Sequence, residues 1–331
     1  MKNNIKKTSI YIIILFTGLA SCNKNRHFPD VVTLVAHTTL TDFNDSSFVP
    51  KRIMCIDAIG SDFYCSDYSN GYFVLDEKFN IKKRIGSKGQ GPGEFLGAGP
   101  FYFQGTDSIF ILNEGKRSFE LFVEDKHIES FSYPQGISLS HCTRFFVKNQ
   151  QIFHSVIGDS LPVIAFNGNS HENQYMCLYT KWDNPHLKQH STRHLVKGKN
   201  NFFVIGSVLP VFQRYDFEGN LLEDYDMEKL PEISINMKKY NGQKQIPTTY
   251  FTMCKDAYYC KDKVFILVAS NINEYFCNTV YVLNVADKIS HIGTYILGKG
   301  NNVYESFCVK NDTLLAFNAI DASLDVFTIS E

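Results

Sequence analysis

Histidines concentrate in one part of this chain, and they are the side chains best suited to bind a metal ion. Six of the ten fall within residues 141–194. The dipeptide Asn184-Pro185 is typical of a helix start, because Pro suits the first helical position. The spacing then predicts one helix face that carries His186, His190 and His194. Imidazoles at this spacing can bind zinc, but the outer pair lies about 12 Å apart, so one ion reaches at most two rings. A solvated polar connector is the alternative.

The first 21 residues are typical of an export signal. Lys2, Lys6 and Lys7 precede the apolar run Ser9–Leu19, which is too short to cross a bilayer of about 30 Å as a helix. The motif Leu19-Ala20-Ser21-Cys22 resembles a bacterial lipobox. This resemblance implies cleavage before Cys22 and lipidation of that residue. The alternative is an ordinary signal peptide followed by an incidental Cys. Residues 22–30 then form a polar tether.

Composition narrows the class of protein and of partner. The formal net charge is −1, which argues against a nucleic-acid partner because phosphate binding needs a concentrated basic surface. With 44% hydrophobic and 20% charged residues, the chain is typical of a globular protein. Beyond Cys22, the cysteines stand singly in apolar runs and no C-x-x-C occurs, so buried thiols are favoured over disulfides. They are Cys55, Cys65, Cys142, Cys177, Cys254, Cys260, Cys277 and Cys308.

Short β-branched and aromatic runs alternate with polar turns along residues 31–331, as antiparallel strands require. One hairpin pattern recurs, an apolar strand followed by turns such as Asp76–Asn80 and Asp216–Asn220. Its period is near that of propeller blades, which is about 40 to 50 residues. The sequence therefore predicts an all-β, six-bladed β-propeller, whereas a pair of β-sandwiches would not explain the period. The predicted blades are 51–89, 97–134, 137–180, 192–227, 247–297 and 302–331.

The last predicted blade has room for only three strands. We expect the N-terminal segment Val31–Thr39 to supply the fourth, beside Leu324–Ile329. An N-terminal strand in this place closes the ring and removes two exposed sheet edges.

The linker Ile85–Phe95, with the sequence IGSKGQGPGEF, is the most specific motif of the chain. It resembles the linker of six-bladed propeller lipoproteins of the Bacteroidetes, a TolB-like group related in form to NHL-repeat propellers. The resemblance covers essentially the whole chain after the signal and implies fold and location, but little chemistry. Residues 23–30 lack the acidic cluster of many surface-exposed lipoproteins of that phylum. An outer-membrane lipoprotein is therefore expected, with the periplasmic side favoured over the cell surface.

Lysines in and around this linker are the candidates for a ligand-bearing face. Lys88, Gln90 and Glu94 belong to the linker itself, and two looser copies of it contribute Lys197, Lys199 and Lys299. If all copies connect blades, these lysines share one rim and attract an anionic ligand. A stiff blade-to-blade connection is the alternative, in which Glu94 accepts backbone N–H groups of its own turn. Residues 228–247 break the strand pattern and suit a short helix or a lid.

A metal enzyme is the rival interpretation of function. A calcium-dependent lactonase-type propeller would carry Glu, Asn and Asp side chains inward from several blades. Four residues just after apolar strands are candidates for this role: Asp67, Asn113, Asn271 and Asp321. The alternative is that they simply end strands, as Asp and Asn commonly do. No G-x-S-x-G, P-loop or Ser/His/Asp arrangement is recognisable.

The favoured function is therefore a membrane-anchored module that binds or scaffolds a peptide, a glycan or a partner protein of the cell envelope. The alternative is a metal-dependent lactonase- or lyase-like enzyme with its site in the central channel. No cofactor is predicted, and a structural or catalytic metal remains open.

Overall fold

A computed structural model describes residues 29–41, 43–44, 49–157, 161–167, 173–177, 192–242, 252–270 and 276–329. The described residues form six antiparallel sheets. One strand of each sheet packs against one strand of both neighbouring sheets, so these six innermost strands form a ring around a central channel. The chain is a six-bladed β-propeller.

Two short strands, β1 (Asp30–Leu34) and β2 (Thr38–Leu40), precede the blades. Blade one comprises β3 (Ile53–Ile59), β4 (Asp62–Asp67), β5 (Gly71–Leu75) and β6 (Ile81–Ile85). Blade two comprises β7 (Ala98–Gln104), β8 (Ser108–Asn113), β9 (Ser118–Val123) and β10 (Lys126–Ser132). Blade three comprises β11 (Ser138–Leu139), β12 (Phe146–Lys148), β13 (Gln151–Ile157), β14 (Val163–Phe166) and β15 (Asn173–Met176).

Blade four comprises β16 (Arg193–Lys197), β17 (Phe202–Gly206), β18 (Val211–Tyr215) and β19 (Leu221–Asp226). Blade five comprises β20 (Cys254–Cys260), β21 (Lys263–Val268), β22 (Thr279–Asn284) and β23 (Ser290–Leu297). Blade six comprises β24 (Tyr304–Lys310), β25 (Thr313–Asn318) and β26 (Ser323–Thr328). A 3₁₀ turn (Met227–Lys229) and the helix α1 (Pro231–Gly242) follow β19. Each predicted blade contains the strands of one observed blade, so the predicted period is confirmed.

Strand direction gives the disc two distinct faces. The outermost strand of one blade connects to the innermost strand of the next on what we call the crossover face, which carries residues 86–97 and 298–303. Every innermost strand then runs to the opposite side, the turn face, and ends there in a tight turn. The turns after β3, β16 and β20 are examples.

The hydrophobic core is divided among the blade interfaces. Six clusters of buried side chains lie one between each pair of adjacent blades. Between blades one and two, for example, the buried Tyr72 ring meets Phe101 edge to face at 5.1 Å. Burying a large apolar side chain contributes about 1.5–3 kcal/mol, so the aromatic-rich composition stabilises the contacts between blades.

Four innermost strands carry a β-bulge near their start. The pairing register shifts after Ile53 in β3, after Ala98 in β7, after Cys254 in β20 and after Tyr304 in β24. A bulge changes the direction in which the following side chains point. In β20 the first paired residue after the bulge is Asp256, which is buried in the channel.

The N-terminal segment differs from the prediction in its extent. It forms two strands instead of one: β2 pairs with β26, with Thr38 opposite Val326, and β1 pairs with β23 as a fifth strand of blade five. The two strands are joined at His37, whose backbone N–H donates to the carbonyl of Val326 at 3.0 Å. The prediction of a single strand over Val31–Thr39 is therefore wrong, because the segment passes from one blade to the next.

The helix α1 lies within the predicted break at residues 228–247, of which residues 243–247 lie outside the described part. Ile233 and Met237 of the helix are buried in the cluster between blades four and five. The Nδ2 of Asn236 donates to the carbonyl of Ala269 at 2.6 Å. The helix is therefore part of the core instead of a lid. Among the described residues, no helix has the length and apolar character needed to cross a bilayer.

The eight cysteines after Cys22 are free thiols. Six of them are buried among apolar side chains, as the sequence predicts, whereas Cys260 is half-buried and Cys142 is exposed.

Candidate functional site

One arginine reaches the centre of the propeller because its strand is interrupted. The innermost strand of blade three is split into β11 and β12, and both pieces pair with β13. Arg144 lies just before β12, in the loop between the two pieces. Its backbone is held by blade four, since its carbonyl accepts from the N–H of Leu195 at 2.9 Å and its N–H donates to Nδ1 of His194 at 3.4 Å.

The guanidinium of Arg144 crosses the channel and binds three other blades. Its Nε and Nη2 donate to the two carboxylate oxygens of Asp256 in blade five, at 2.5 and 2.7 Å. The same Nη2 donates to the carbonyl of Ile56 in blade one at 3.0 Å and to that of Phe307 in blade six at 2.8 Å. Both charged side chains are almost fully buried, with Arg144 8% and Asp256 3% exposed.

The carboxylate of Asp256 is satisfied on both oxygens. Its Oδ1 also accepts from the N–H of Ala257 at 2.9 Å, and its Oδ2 accepts from that of Phe307 at 3.0 Å. A bidentate pair with further hydrogen bonds is the geometry in which a buried ion pair is tolerated. The Arg144–Asp256 pair therefore lies across the channel and joins blades three and five.

A cavity of about 240 Å³ remains on the turn-face side of this pair. Arg144 lies at its base, and its walls carry Asp57, Tyr102, Lys197, Tyr258 and Tyr259, all half-buried. The cavity therefore combines aromatic walls with both signs of charge, as ligand pockets often do.

A second hydrogen bond spans the channel beside the arginine. The hydroxyl of Tyr258 in blade five donates to Oδ1 of Asp57 in blade one at 2.7 Å, and the N–H of Ala58 donates to the same oxygen at 2.7 Å. Burial raises the pKa of Asp57 above its usual value. The ring of Tyr258 also lies 5.3 Å from the Cζ of Arg144, a distance at which a cation attracts an aromatic face.

The mouth on the crossover face is smaller and is bridged by charges. Its cavity is about 90 Å³ and includes Arg52, Cys142, Lys255 and Glu305. The carboxylate of Glu305 lies 3.7 Å from Nε of Arg52 and 3.7 Å from Nζ of Lys255. These pairs leave less room for a ligand at this end.

The candidate lysines do not share one rim. Lys88 and Lys299 lie on the crossover face, in the connections before β7 and β24, as the sequence predicts. Lys197 instead ends the innermost strand β16 and Lys199 lies in the turn that follows, so both are on the turn face. The predicted single rim is therefore wrong, because the third copy of the linker is a strand and its turn.

The linker itself is a self-packed loop. Oε2 of Glu94 accepts from the N–H of Gly91 at 2.6 Å, and a Cβ added at Gly89 would lie 2.1 Å from the same oxygen. A Cβ at Gly86 would lie 2.3 Å from the ring of Phe95. The glycines are thus required by the side chains of the same loop, while Lys88 and Gln90 are exposed.

The predicted histidine face does not extend to its third member. His194 lies in β16 and is buried, with Nε2 donating to the carbonyl of Cys254 at 3.2 Å. Its imidazole holds the loop of Arg144 in place, as described above. His186 and His190 lie outside the described residues. Within the described part of the chain, no three His, Cys, Asp or Glu side chains cluster as they would around a metal ion.

The residues considered for calcium binding organise turns on the crossover face. The carboxylate of Asp67 accepts four backbone N–H groups, from Lys51, Arg52, Ser69 and Asn70, at 2.7–3.1 Å. Asn113 bonds the backbone of residues 94 and 96 at the next crossover, and Asp321 accepts from Asn318 at 3.0 Å. Asn271 lies outside the described residues. These contacts fit strand-end roles.

Sequence reasoning missed Arg144, Asp256, Asp57 and Tyr258. A lone arginine in the apolar run Thr143–Val147 and a lone aspartate in Ile53–Ile59 are the signals that were present. A charge inside an apolar strand is expected to have a buried partner, but the sequence does not show which partner.

Comparisons with known proteins support the fold. No protein-family model matches the chain, and no curated protein matches its sequence. A member of the DUF4221 family from Bacteroides vulgatus has a similar structure, with a TM-score of 0.58 and 13% identity over 89% of this chain and 97% of that one. A Bacteroides fragilis protein described as exported has a TM-score of 0.57 and 14% identity over 91% and 100% of the two chains. A streptogramin B lyase has a TM-score of 0.53 and 10% identity over 85% and 80%. At these identities the similarity concerns the propeller fold alone.

Proposed function

We propose that this protein is a lipid-anchored binding module of the cell envelope, which holds its ligand in the turn-face cavity. The observation that carries the proposal is the cavity beside Arg144, whose guanidinium is fixed by Asp256. The walls of this cavity are charged and aromatic. Rigid strands supply the walls, so the cavity is formed before the ligand arrives, which lowers the cost of binding.

The ligand is part of a peptide, a glycan or a partner protein. The most informative first experiment is a pull-down from the native membrane, followed by binding measurements with the purified protein. Lys197→Glu reverses the charge of a cavity wall, and Lys88→Glu makes the same change on the crossover face. We expect the first variant to lose the ligand and the second to keep it. If both variants lose the ligand equally, or if both keep it, the ligand binds elsewhere.

The anchor is proposed from Cys22, and the location is the outer membrane with the propeller on the periplasmic side. Cys22→Ser removes the thiol that lipidation needs. We expect this variant to leave the membrane fraction and to lose palmitate labelling. Membrane association and labelling that survive the change would contradict the anchor.

Metal analysis separates binding from the rival enzymatic function. A lactonase- or lyase-like enzyme of this fold would carry a stoichiometric calcium or zinc ion. Its removal by EDTA would lower thermal stability, because a ligand of the folded state stabilises that state. We expect purified protein to contain no stoichiometric metal, and a bound ion that EDTA removes would favour the enzyme.

A further inference from the structure

The arginine at the centre of the channel keeps one nitrogen without a partner among the described residues. Nε and Nη2 of Arg144 make the hydrogen bonds described above, whereas Nη1 has no partner among the described residues. Arg144 borders the turn-face cavity and not the cavity of the crossover face. The guanidinium of a residue that is only 8% exposed, with one donor nitrogen left over, is suited to bind a planar oxygen acceptor.

A second cation in the same cavity, Lys197, has no anionic partner among the described residues, whereas Arg144 is paired with Asp256. Lys197 borders the cavity, and its Nζ lies 5.9 Å from the ring centre of Tyr102. No carboxylate of the described residues forms an ion pair with it, in contrast to Lys199 nearby, whose Nζ lies 2.8 Å from Oδ2 of Asp262. Because Asp256 already neutralises Arg144, the ammonium of Lys197 is the charge that an anionic group of the ligand would meet.

The cavity offers one free acceptor as well. Oδ1 of Asp57 receives two hydrogen bonds, while Oδ2 has no partner among the described residues. A ligand group that faces Asp57 must therefore donate a hydrogen bond. A hydroxyl suits this place better than an ammonium, because a hydroxyl can also accept from a neighbouring lysine whereas an ammonium would be repelled by it.

Size and wall chemistry narrow the ligand further. A volume of 240 Å³ corresponds to the liquid volume of about eight waters, which is enough for one sugar ring. The rings of Tyr102 and Tyr258 offer apolar faces against which the C–H face of a sugar can lie. We infer that the turn-face cavity binds a sugar acid. The carboxylate of the sugar acid accepts hydrogen bonds from Lys197 and from Nη1 of Arg144, and one of its hydroxyls donates to Asp57.

This inference rests on the proposed function and is tested by calorimetry with matched free sugars. Galacturonate and galactose differ only in the carboxylate. We expect galacturonate to bind and galactose to bind at least about tenfold more weakly, because galactose lacks the charged acceptor for the hydrogen bonds of Lys197 and Arg144. Glucuronate tests whether the orientation of the hydroxyls matters, and alanine tests an amino acid in place of a sugar acid.

Two variants locate the bound acid. Lys197→Met keeps the length of the side chain and removes its charge, and we expect it to weaken galacturonate at least about tenfold. Lys88→Met makes the same change on the crossover face and should leave the affinity unchanged. Thermal melts without ligand show whether each variant is folded.

The possible failures are distinguishable. Equal binding of galactose and galacturonate, with both lost in Lys197→Met, would overturn the acidic ligand and keep the cavity as a binding site. Binding of alanine in place of the sugar acids would overturn the sugar ring and would keep the cavity as a site for a carboxylate. If no sugar acid binds, the inference is wrong. If, in addition, a membrane partner binds Lys197→Glu and wild type equally, the proposed function of the cavity fails as well.

Discussion

At the scale of single residues, the buried ion pair of Arg144 and Asp256 is the feature on which most of the centre depends. Arg144 belongs to blade three and binds groups of blades one, five and six. Arg144→Met leaves the carboxylate of Asp256 buried without its cation, and we expect a loss of about 3–5 kcal/mol in the free energy of unfolding. Urea denaturation followed by tyrosine fluorescence measures the loss.

The matched control is Lys199→Met, which breaks the exposed pair with Asp262. Exposed pairs contribute little, so this variant should unfold like the wild type. The double variant Arg144→Met/Asp256→Leu removes both charges and should recover part of the loss. If Arg144→Met is as stable as the control, the buried pair does not hold the blades together.

His154 makes stability depend on pH. Its Nδ1 donates to the carbonyl of Ser155 at 3.1 Å, and its Nε2 is buried without a partner among the described residues, beside Phe119 and Phe145. Burial lowers the pKa of His154 from 6.5 to about 4. As the pH falls, the imidazole therefore takes up its proton in the unfolded chain before it does so in the folded protein. The free energy of unfolding should decrease by about 3 kcal/mol as the pH drops from 6.5 towards about 4.

His154→Phe removes this titration, and we expect a flatter dependence of the denaturation midpoint over the same pH range. A wild-type slope in His154→Phe would assign the acid sensitivity to other groups.

The residues of the cavity show why sequence alone could not find the site. Arg144 and Asp256 are 112 residues apart, and Asp57 and Tyr258 are 201 apart. Each pair meets only because the ring places non-adjacent blades across one channel. The contact of Glu94 with its own turn was predictable, because the partners lie within a few residues of each other.

At the scale of elements, the linker at residues 86–95 is predicted to be rigid because of its own side chains. Gly89→Ala would place a Cβ against the carboxylate of Glu94. The carboxylate must then move and give up its hydrogen bond with the N–H of Gly91, so we expect a loss of about 0.5–1.5 kcal/mol. In the background of Glu94→Ala the obstacle is gone, so the same change should cost almost nothing. A double-mutant cycle measures this coupling, and additive effects would contradict the packing.

The blades were predictable from the period of the sequence, whereas the face on which each lysine lies was not. Tight turns that contain Gly and Lys suit both a crossover and the turn after an innermost strand. Residues 195–201 therefore resemble residues 85–89 although they belong to β16 and its turn. The division of the innermost strand of blade three into β11 and β12 was not predicted either. The interruption at Arg144 leaves the apolar pattern of Phe145 and Phe146 intact, so the sequence shows no sign of it.

At the scale of the whole molecule, the two N-terminal strands cover the outer edges of blades five and six. Strand β2 covers the edge of β26, and the hydroxyl of Thr39 donates to Oδ1 of the buried Asp325 at 2.8 Å. Strand β1 covers the edge of β23, but Leu34 is its one buried residue. Loss of β2 would leave an unpaired edge in the blade that meets blade one, and such edges promote aggregation.

Three variants that start at residues 23, 37 and 41 separate the two strands. Removing β1 should lower the melting temperature slightly, because most of its side chains are exposed. Removing β2 as well should lower it much further and favour self-association, because the backbone groups of β26 and the carboxylate of Asp325 then lose partners. Differential scanning calorimetry with light scattering measures both effects. If the variants that start at residues 37 and 41 melt together and stay monomeric, β2 acts as a linker and the ring is held closed by the contact of β24 with β3 alone.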